Sequence, residues 1–326
     1  MDKSTPIYVA GHRGLAGSAI LRELARQGFE HLIVRTHAEI DLADYAPTLE
    51  LLLRERPRIM FVAASKVGGI GANENFPADF LMSNLALQLN VFRAAHEAAV
   101  ERVVFLGSSC IYPRDAPQPL AESALLTGPL ESTNRAYAIA KIAGVEMCWA
   151  YNRQFARRWL AAMPTNLYGP GDNYDLATAH VLPALLRKAH EAHSSGTREL
   201  NVWGTGDALR EFLHADDLAR ALVLVATLPD SQYAPLVDPR ACPLINIGSG
   251  VESTIRDLAA LIAEVVGFDG RITFDASKPD GTPRKTIDSS RMRALGWAPE
   301  IGLRDGIMSM YRDFSAHAGA QTAPRR

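Results

Sequence analysis

The chain has 326 residues, enough for one two-lobed unit or two domains around a large core. It is 48% hydrophobic and 21% charged, as in an ordinary globular protein, and its formal net charge of -2 sets up no field that would draw nucleic acid. Three widely spaced cysteines, Cys110, Cys148 and Cys242, argue against a disulfide framework and against a zinc site, and no apolar run reaches the roughly 18 residues a membrane helix needs.

The N-terminus, MDKSTPIYVAG, enters a strand at once and leaves no room for a signal peptide, so a reducing cytoplasm is expected. Ile7–Ala10 is a short apolar run that meets glycines directly. Residues 15–27 have helical spacing, with Ile20, Leu21, Leu24 and Ala25 on one side and Gly28 as a stop. His31–Arg35 reads as a second strand and Thr48–Arg56 as a helix halted by Pro57. Arg58–Ala64 is a third strand, apolar throughout, as expected when both faces are covered. A long helix over 78–99, a strand over 102–107, a helix over 136–155 and a strand over 159–163 follow. This alternation predicts an α/β fold with a doubly wound parallel sheet of the Rossmann kind.

Beyond Asn166-Leu-Tyr-Gly-Pro170 the composition changes, and a smaller C-terminal α/β lobe is expected. Its elements are a helix over 180–192, a strand over 200–203, a helix from near Asp216, a strand from Ile245, a helix over 255–266, a strand over 272–275 and a helix over 303–314. The expected division gives 1–168, with a return segment at about 211–250, to the dinucleotide lobe. It gives 169–210 and 251–314 to the substrate lobe, and 315–326 to a disordered tail.

Gly11, Gly14 and Gly17 lie between the first strand and the first helix. There they permit a tight turn and close approach of backbone to phosphate, with the helix N-terminus facing a pyrophosphate. An acid at the end of the second strand would mark NAD, but that strand ends in Arg35-Thr36-His37 and Glu39 lies beyond it. With Arg13 in the glycine loop, the pattern favours the 2′-phosphate of NADPH. Tyr137 and Lys141, four apart on one helix, suit a phenol that protonates a ketone oxygen beside an ammonium that lowers its pKa. Ser108, at the end of the fourth strand, would hold the same oxygen.

These residues resemble the extended short-chain dehydrogenase/reductase superfamily. Within it the segments AGHRGLAGSAI, KVGGI, GSSCIYP, YAIAKIAG, MPTNLYGP, AHVLPALLR, REFLHADDLA and FDASKPDGTPRK resemble, in order, the GDP-L-fucose synthase family, the 3,5-epimerase-4-reductases of GDP-4-keto-6-deoxy-D-mannose. The resemblance implies a homodimer paired through two long helices, and roles in epimerisation for Cys110 and His180. The chemistry agrees: a C4 ketone acidifies the protons on C3 and C5, and inversion needs a base on one face and an acid on the other. A thiolate and an imidazole can serve near neutral pH. Cys148 and Cys242 read as structural.

The implied cofactor contacts are Gly11, His12, Arg13, Gly14, Leu15, Ala16, Gly17, Arg35, His37, Leu106, Gly107, Ser108, Ser109, Lys141, Pro164, Thr165, Asn166, Leu167 and His180. The implied substrate contacts are Asn166, Lys188, Trp203, Arg210, Lys278, Asp280 and Lys285. His37 and Lys188 stand where relatives often carry Arg, and Ser65 where Ala is usual; no function is attached to Ser65. The alternatives are the same chemistry on a colitose or deoxyheptose precursor, an NAD-dependent nucleotide-sugar 4-epimerase, and a non-catalytic NADP sensor.

Overall fold

The strand β1 (Ile7–Ala10) is buried over its whole length, with Ile7 and Val9 facing one apolar layer and Tyr8 and Ala10 the other. That two-sided burial is what an apolar run without alternation requires. The structure is a computed structural model that describes residues 1–278 and 280–317. After β1 come α1 (Leu15–Arg26), β2 (Leu32–Ile33), α2 (Tyr45–Glu55), β3 (Ile59–Val62), α3 (Ile70–Asn75), α4 (Pro77–Glu97), β4 (Arg102–Leu106), α5 (Arg135–Phe155) and β5 (Arg158–Pro164). The second half contains β6 (Asn166–Tyr168), α6 (Val181–Ser195), β7 (Glu199–Trp203), β8 (Leu209–His214), α7 (Ala215–Thr227), α8 (Asp230–Tyr233), β9 (Leu244–Ile247), β10 (Glu252–Thr254), α9 (Ile255–Val266), β11 (Arg271–Asp275), β12 (Arg284–Lys285), α10 (Ser290–Ala294) and α11 (Leu303–His317).

The main sheet has six parallel strands in the order β2-β1-β3-β4-β5-β9. Its register lines up Tyr8, Met60, Val103 and Trp159 across four strands on one face. Helices cover both faces, α1 and α7 on one side, α2, α4 and α5 on the other. The strand order reverses between β1 and β3, so the crevice at their C-terminal ends is where a ligand of such a sheet belongs. A second sheet, β10-β8-β12 with β6 beside β8, and the parallel pair β7–β11 lie over a third apolar cluster that includes Leu182, Leu186, Phe212, Ile262 and Met310. The chain returns to the main sheet through β9, and Met292 and Trp297 also reach its core. No described helix is long and apolar enough to cross a membrane.

Several elements differ from expectation. β2 is two residues long, because the chain leaves the sheet edge to form a turn in which Glu39 accepts from the Thr36 N–H at 2.7 Å. α2 starts three residues early, with Pro47 in its first turn, where a missing N–H costs nothing. α3 was not anticipated, since Gly68, Gly69 and Gly71 obscure its pattern. α11 runs to His317, so the first residues assigned to a tail are helical; 318–326 lie outside the described residues.

Candidate active site

β1 ends at Ala10 and the chain turns at Gly11, whose φ of 83° is in the left-handed region. A β-carbon on Gly11 would stand 2.6 Å from the Ala64 nitrogen after β3, and one on Gly17 would land on the Gly11 carbonyl oxygen. Both glycines are therefore required by close approach, and α1 begins just behind them with Gly14 as an uncapped N-cap. Free backbone donors at a helix N-terminus, on the crevice of the sheet, fit the pyrophosphate of a dinucleotide. Leu15 and Ala16 anchor the loop to the core. Gly17→Ala forces the loop apart, and overpacking of about 1–3 kcal/mol should weaken dinucleotide binding roughly ten- to hundredfold in a fluorescence titration. Unchanged affinity would contradict the cradle.

The adenosine end is more mixed. Arg13 is exposed beside the loop, whereas Arg35 donates to Glu55 at 2.7 Å and to the Val34 carbonyl at 2.6 Å. The His12 ring bonds the Arg35 backbone, and burial, then the Arg13 charge, lower its pKa. His37 is 84% exposed, with its Nδ1 3.7 Å from the Asp41 carboxylate. Glu39, bent back on Thr36, feels the charges of both Arg35 and Arg13.

Further along the crevice the chemical groups converge. Ser108 caps a single turn over Ser109–Ile111, so its Oγ lies 3.0 Å from the Cys110 sulfur and 3.4 Å from the Cys110 N–H. Cys110 is half-buried against the cluster of Ala72, Phe80 and Tyr137. Lys285, on β12, brings its Nζ to 3.7 Å from the same sulfur. Tyr137 is buried, its ring edge-to-face with Phe80 at 6.3 Å between centroids. Burial, and then the charge of Cys110, push its phenol well above the usual range, while hydrogen bonds with Ser65 and Ser108 oppose the shift. The phenol thus keeps its proton. Lys141 is buried one turn on; its Nζ donates to the Leu106 carbonyl at 2.7 Å and lies 5.7 Å from the Tyr137 ring centre. Burial lowers its pKa to about 7. Gly107 and Ser109 complete the end of β4, and Pro164 the end of β5.

His180 stands at the N-cap of α6, and desolvation followed by the Lys285 charge lowers its pKa. Lys285 therefore lies within electrostatic reach of both Cys110 and His180. Thr165 Oγ1 and Asn166 Nδ2 are held by the Glu211 carbonyl at 3.1 and 2.8 Å, which fixes the exit of β5 and places Leu167 in β6.

In the second lobe, Trp203 is 57% exposed, with Lys188 and Lys278 over its ring at 5.4 and 5.5 Å. Burial lowers the pKa of Lys188 and of Arg210. Arg210 donates to the Asp280 backbone at 2.9 Å. Asp280 differs from the rest of the expected substrate set, because both carboxylate oxygens are taken by Thr205, at 2.8 Å to its N–H and 3.0 Å to its hydroxyl. Its carboxylate ties the 278–285 loop to the Gly204–Gly206 turn.

Ser65, to which the sequence attached no function, and Asn134, which it did not single out, also enter. Ser65 donates to Asn84 Oδ1 at 2.6 Å, and Asn84 spends its own amide on the Lys66 and Phe80 carbonyls, which fixes Ser65 beside Tyr137. Asn134, three residues before Tyr137, has a buried Oδ1 without a hydrogen-bond partner among the described residues. Its only sequence signal was that spacing.

A glycine cradle at a sheet's switch point, with Ser108, Tyr137 and Lys141 beside it, defines a dinucleotide-dependent oxidoreductase of the short-chain type. A family profile described as NAD dependent epimerase/dehydratase family matches residues 7–238. The chain is 54% identical to GDP-L-fucose synthase 1 of Arabidopsis thaliana over 95% of its own length and 93% of that protein, and 49% identical to GDP-L-fucose synthase of Escherichia coli (strain K12) over 94% and 96%. It also superimposes, with a TM-score of 0.84 and 34% identity over 97% of this chain and 99% of that one, on a GDP-mannoheptose C4 reductase from Campylobacter jejuni with NADP bound. The chain belongs to the NAD dependent epimerase/dehydratase family and, within it, to the GDP-L-fucose synthase group.

Proposed function

We propose that this chain converts GDP-4-keto-6-deoxy-D-mannose to GDP-L-fucose with NADPH, inverting C3 and C5 and then reducing C4 in one cleft. The observation that carries the reading is the gathering of Ser108, Cys110 and Tyr137 around one point, with the sulfur 3.0 Å from the serine hydroxyl. A plain reductase has no use for that sulfur. The names of the curated relatives and of the heptose reductase agree with a GDP-keto-sugar substrate.

In this reading Ser108 and Tyr137 hold the C4 oxygen. Cys110 takes the proton from C3 or C5, and the electron pair moves into the C4 carbonyl as an enolate. His180 returns a proton from the opposite face, its acidity raised by Lys285, and the carbonyl re-forms with the carbon inverted. Lys285 also faces the sulfur as charge develops there. For the reduction Tyr137 gives its phenolic proton to the C4 oxygen, and Lys141 supplies the positive charge that stabilises the phenolate left behind. NADPH, when bound, supplies the hydride to C4. Arg13, with Arg35 behind it, supports the 2′-phosphate, and the Glu39 carboxylate beyond β2 is folded back on Thr36. Trp203, Lys188, Lys278 and Arg210 would receive the nucleotide diphosphate. Exposed Met82 and Leu89 on α4 and Ile139 on α5 support a homodimer formed through these two helices, and three free cysteines support a reducing cytoplasm.

The test is to incubate the protein with NADPH and GDP-4-keto-6-deoxy-D-mannose in D2O and to examine the product by mass spectrometry and NMR. GDP-L-fucose carrying deuterium at C3 and C5 is expected. A 4-reduced sugar without deuterium, or faster turnover of a GDP-keto-heptose, would reject the reading. The cofactor site carries its own pH signature. The Lys141 ammonium of the cofactor-free protein is lost as pH rises through about 7. NADPH affinity should therefore fall above that pH, and a flat titration from about pH 6 to about pH 9 would show that Lys141 plays no part in binding.

A further inference from the structure

The segment between β3 and α4 joins the two chemistries. At its root, Ser65 bonds Tyr137, and Asn84 fixes Ser65 and the Lys66 N–H at 2.6 and 2.9 Å. In its middle, Ala72 of α3 packs with Phe80 against Tyr137. At its tip, the Gly69 N–H donates to the Thr178 carbonyl at 3.0 Å. The tip is stiff, because the buried Asn73 amide donates to the Gly68 and Gly69 carbonyls at 2.7 and 3.0 Å. The surface it meets is stiff as well. The Thr178 N–H bonds the Asp175 carbonyl at 3.0 Å, and Asn173 bonds the Thr178 hydroxyl at 2.8 Å, closing residues 173–179 into a knuckle whose next residue is His180.

Gly69 has φ -65° and ψ 179°, a conformation open to any residue, so torsion does not explain the glycine. Space does. A β-carbon there would stand 2.7 Å from the Ala179 carbonyl oxygen, a backbone atom adjoining His180. We infer that Gly69 is a positioning residue, the contact by which the 66–75 strap sets where His180 stands relative to Tyr137. The inference rests on the reading of His180 as the proton carrier of epimerisation. The strap then couples the two half-reactions through geometry: the root holds the reducing phenol, and the tip holds the loop that carries the imidazole. Misplacing a reacting group by about 1 Å costs on the order of 100-fold in rate.

Gly69→Ala tests this with two assays on the full chain. One is solvent-deuterium entry at C3 and C5 of the keto sugar. The other is NADPH-dependent reduction of a GDP-4-keto-6-deoxy sugar whose C3 and C5 are already inverted, which needs no proton transfer by His180. Exchange is expected to fall in kcat by about tenfold or more, with reduction and NADPH affinity within about twofold of the parent. Full exchange in Gly69→Ala, or an equal loss of exchange and reduction, would overturn the inference. If Gly69→Ala does not accumulate as folded protein, Asn73→Ala, which frees the Gly68 and Gly69 carbonyls without a clash, decides by the same criterion. His180→Gln separates the layers. Full exchange in that variant removes the assignment of His180 and the inference with it, whereas lost exchange there with full exchange in Gly69→Ala overturns the strap alone.

Discussion

Tyr137→Phe is expected to lower C4 reduction by roughly a thousandfold, within the range of 10²–10⁴ that a positioned acid contributes. The substitution removes one oxygen and keeps the ring, so the edge-to-face contact with Phe80 and the packing of Ala72 survive. It deletes the bonds with Ser65 and Ser108, each worth about 1 kcal/mol net, which the fold can absorb. The phenol is held protonated by its burial, so what the variant loses is a loaded proton donor and not a charge. Proton exchange at C3 and C5 should persist at a reduced rate, because in the proposed mechanism Ser108 can still hold the carbonyl oxygen while Cys110 and His180 remain. The measurement is NADPH oxidation under single turnover, with NADPH affinity as the control. A variant that reduced at more than about a tenth of the parent rate would place the proton donor elsewhere.

The parts of this site that were legible in the sequence are those that depend on local spacing. The turn at the glycines was legible because a break between a strand and a helix is written in adjacent residues, and the placement of Tyr137 and Lys141 on one helix because residues four apart share a face. The alternation of apolar runs and amphipathic segments gave the parallel sheet for the same reason. What was not legible depends on distant pairings. The approach of Lys285 to Cys110 joins residues 175 apart in the chain, through a two-residue strand that no periodicity announces. The bonding of the Asp280 carboxylate to Thr205 likewise joins residues 75 apart in the chain. α3 was hidden by glycines whose purpose at position 69 is clearance from another loop. Ser65 stood out only as a departure with no function attached, since its place beside Tyr137 is set by Asn84, 19 residues further along the chain.

Cys110→Ser should separate the two chemistries. The replacement keeps a hydroxyl near the position of the sulfur, so the contact with Ser108 and the turn over 109–111 can persist. It exchanges a thiol, whose ordinary pKa is about 8.5, for an alcohol that does not ionise near neutrality, and only the ionised form takes a proton from carbon. Deuterium entry at C3 and C5 is therefore expected to fall by roughly a thousandfold. The serine cannot be rescued by its surroundings: the Lys285 ammonium, 3.7 Å from the sulfur, favours negative charge there but cannot make an alkoxide from an alcohol in water. Reduction of a sugar already inverted at C3 and C5 should stay within about tenfold of the parent, because Ser108, Tyr137 and Lys141 are untouched. On the natural keto sugar the variant should then yield slow, deuterium-free reduction at C4 with the original configuration retained at its neighbours. That product is diagnostic, since it can arise only if the carbonyl is held and reduced in a pocket that has lost its base. Parental exchange in Cys110→Ser would leave the sulfur a packing atom beside Tyr137, and the proton would have to leave carbon toward His180 alone.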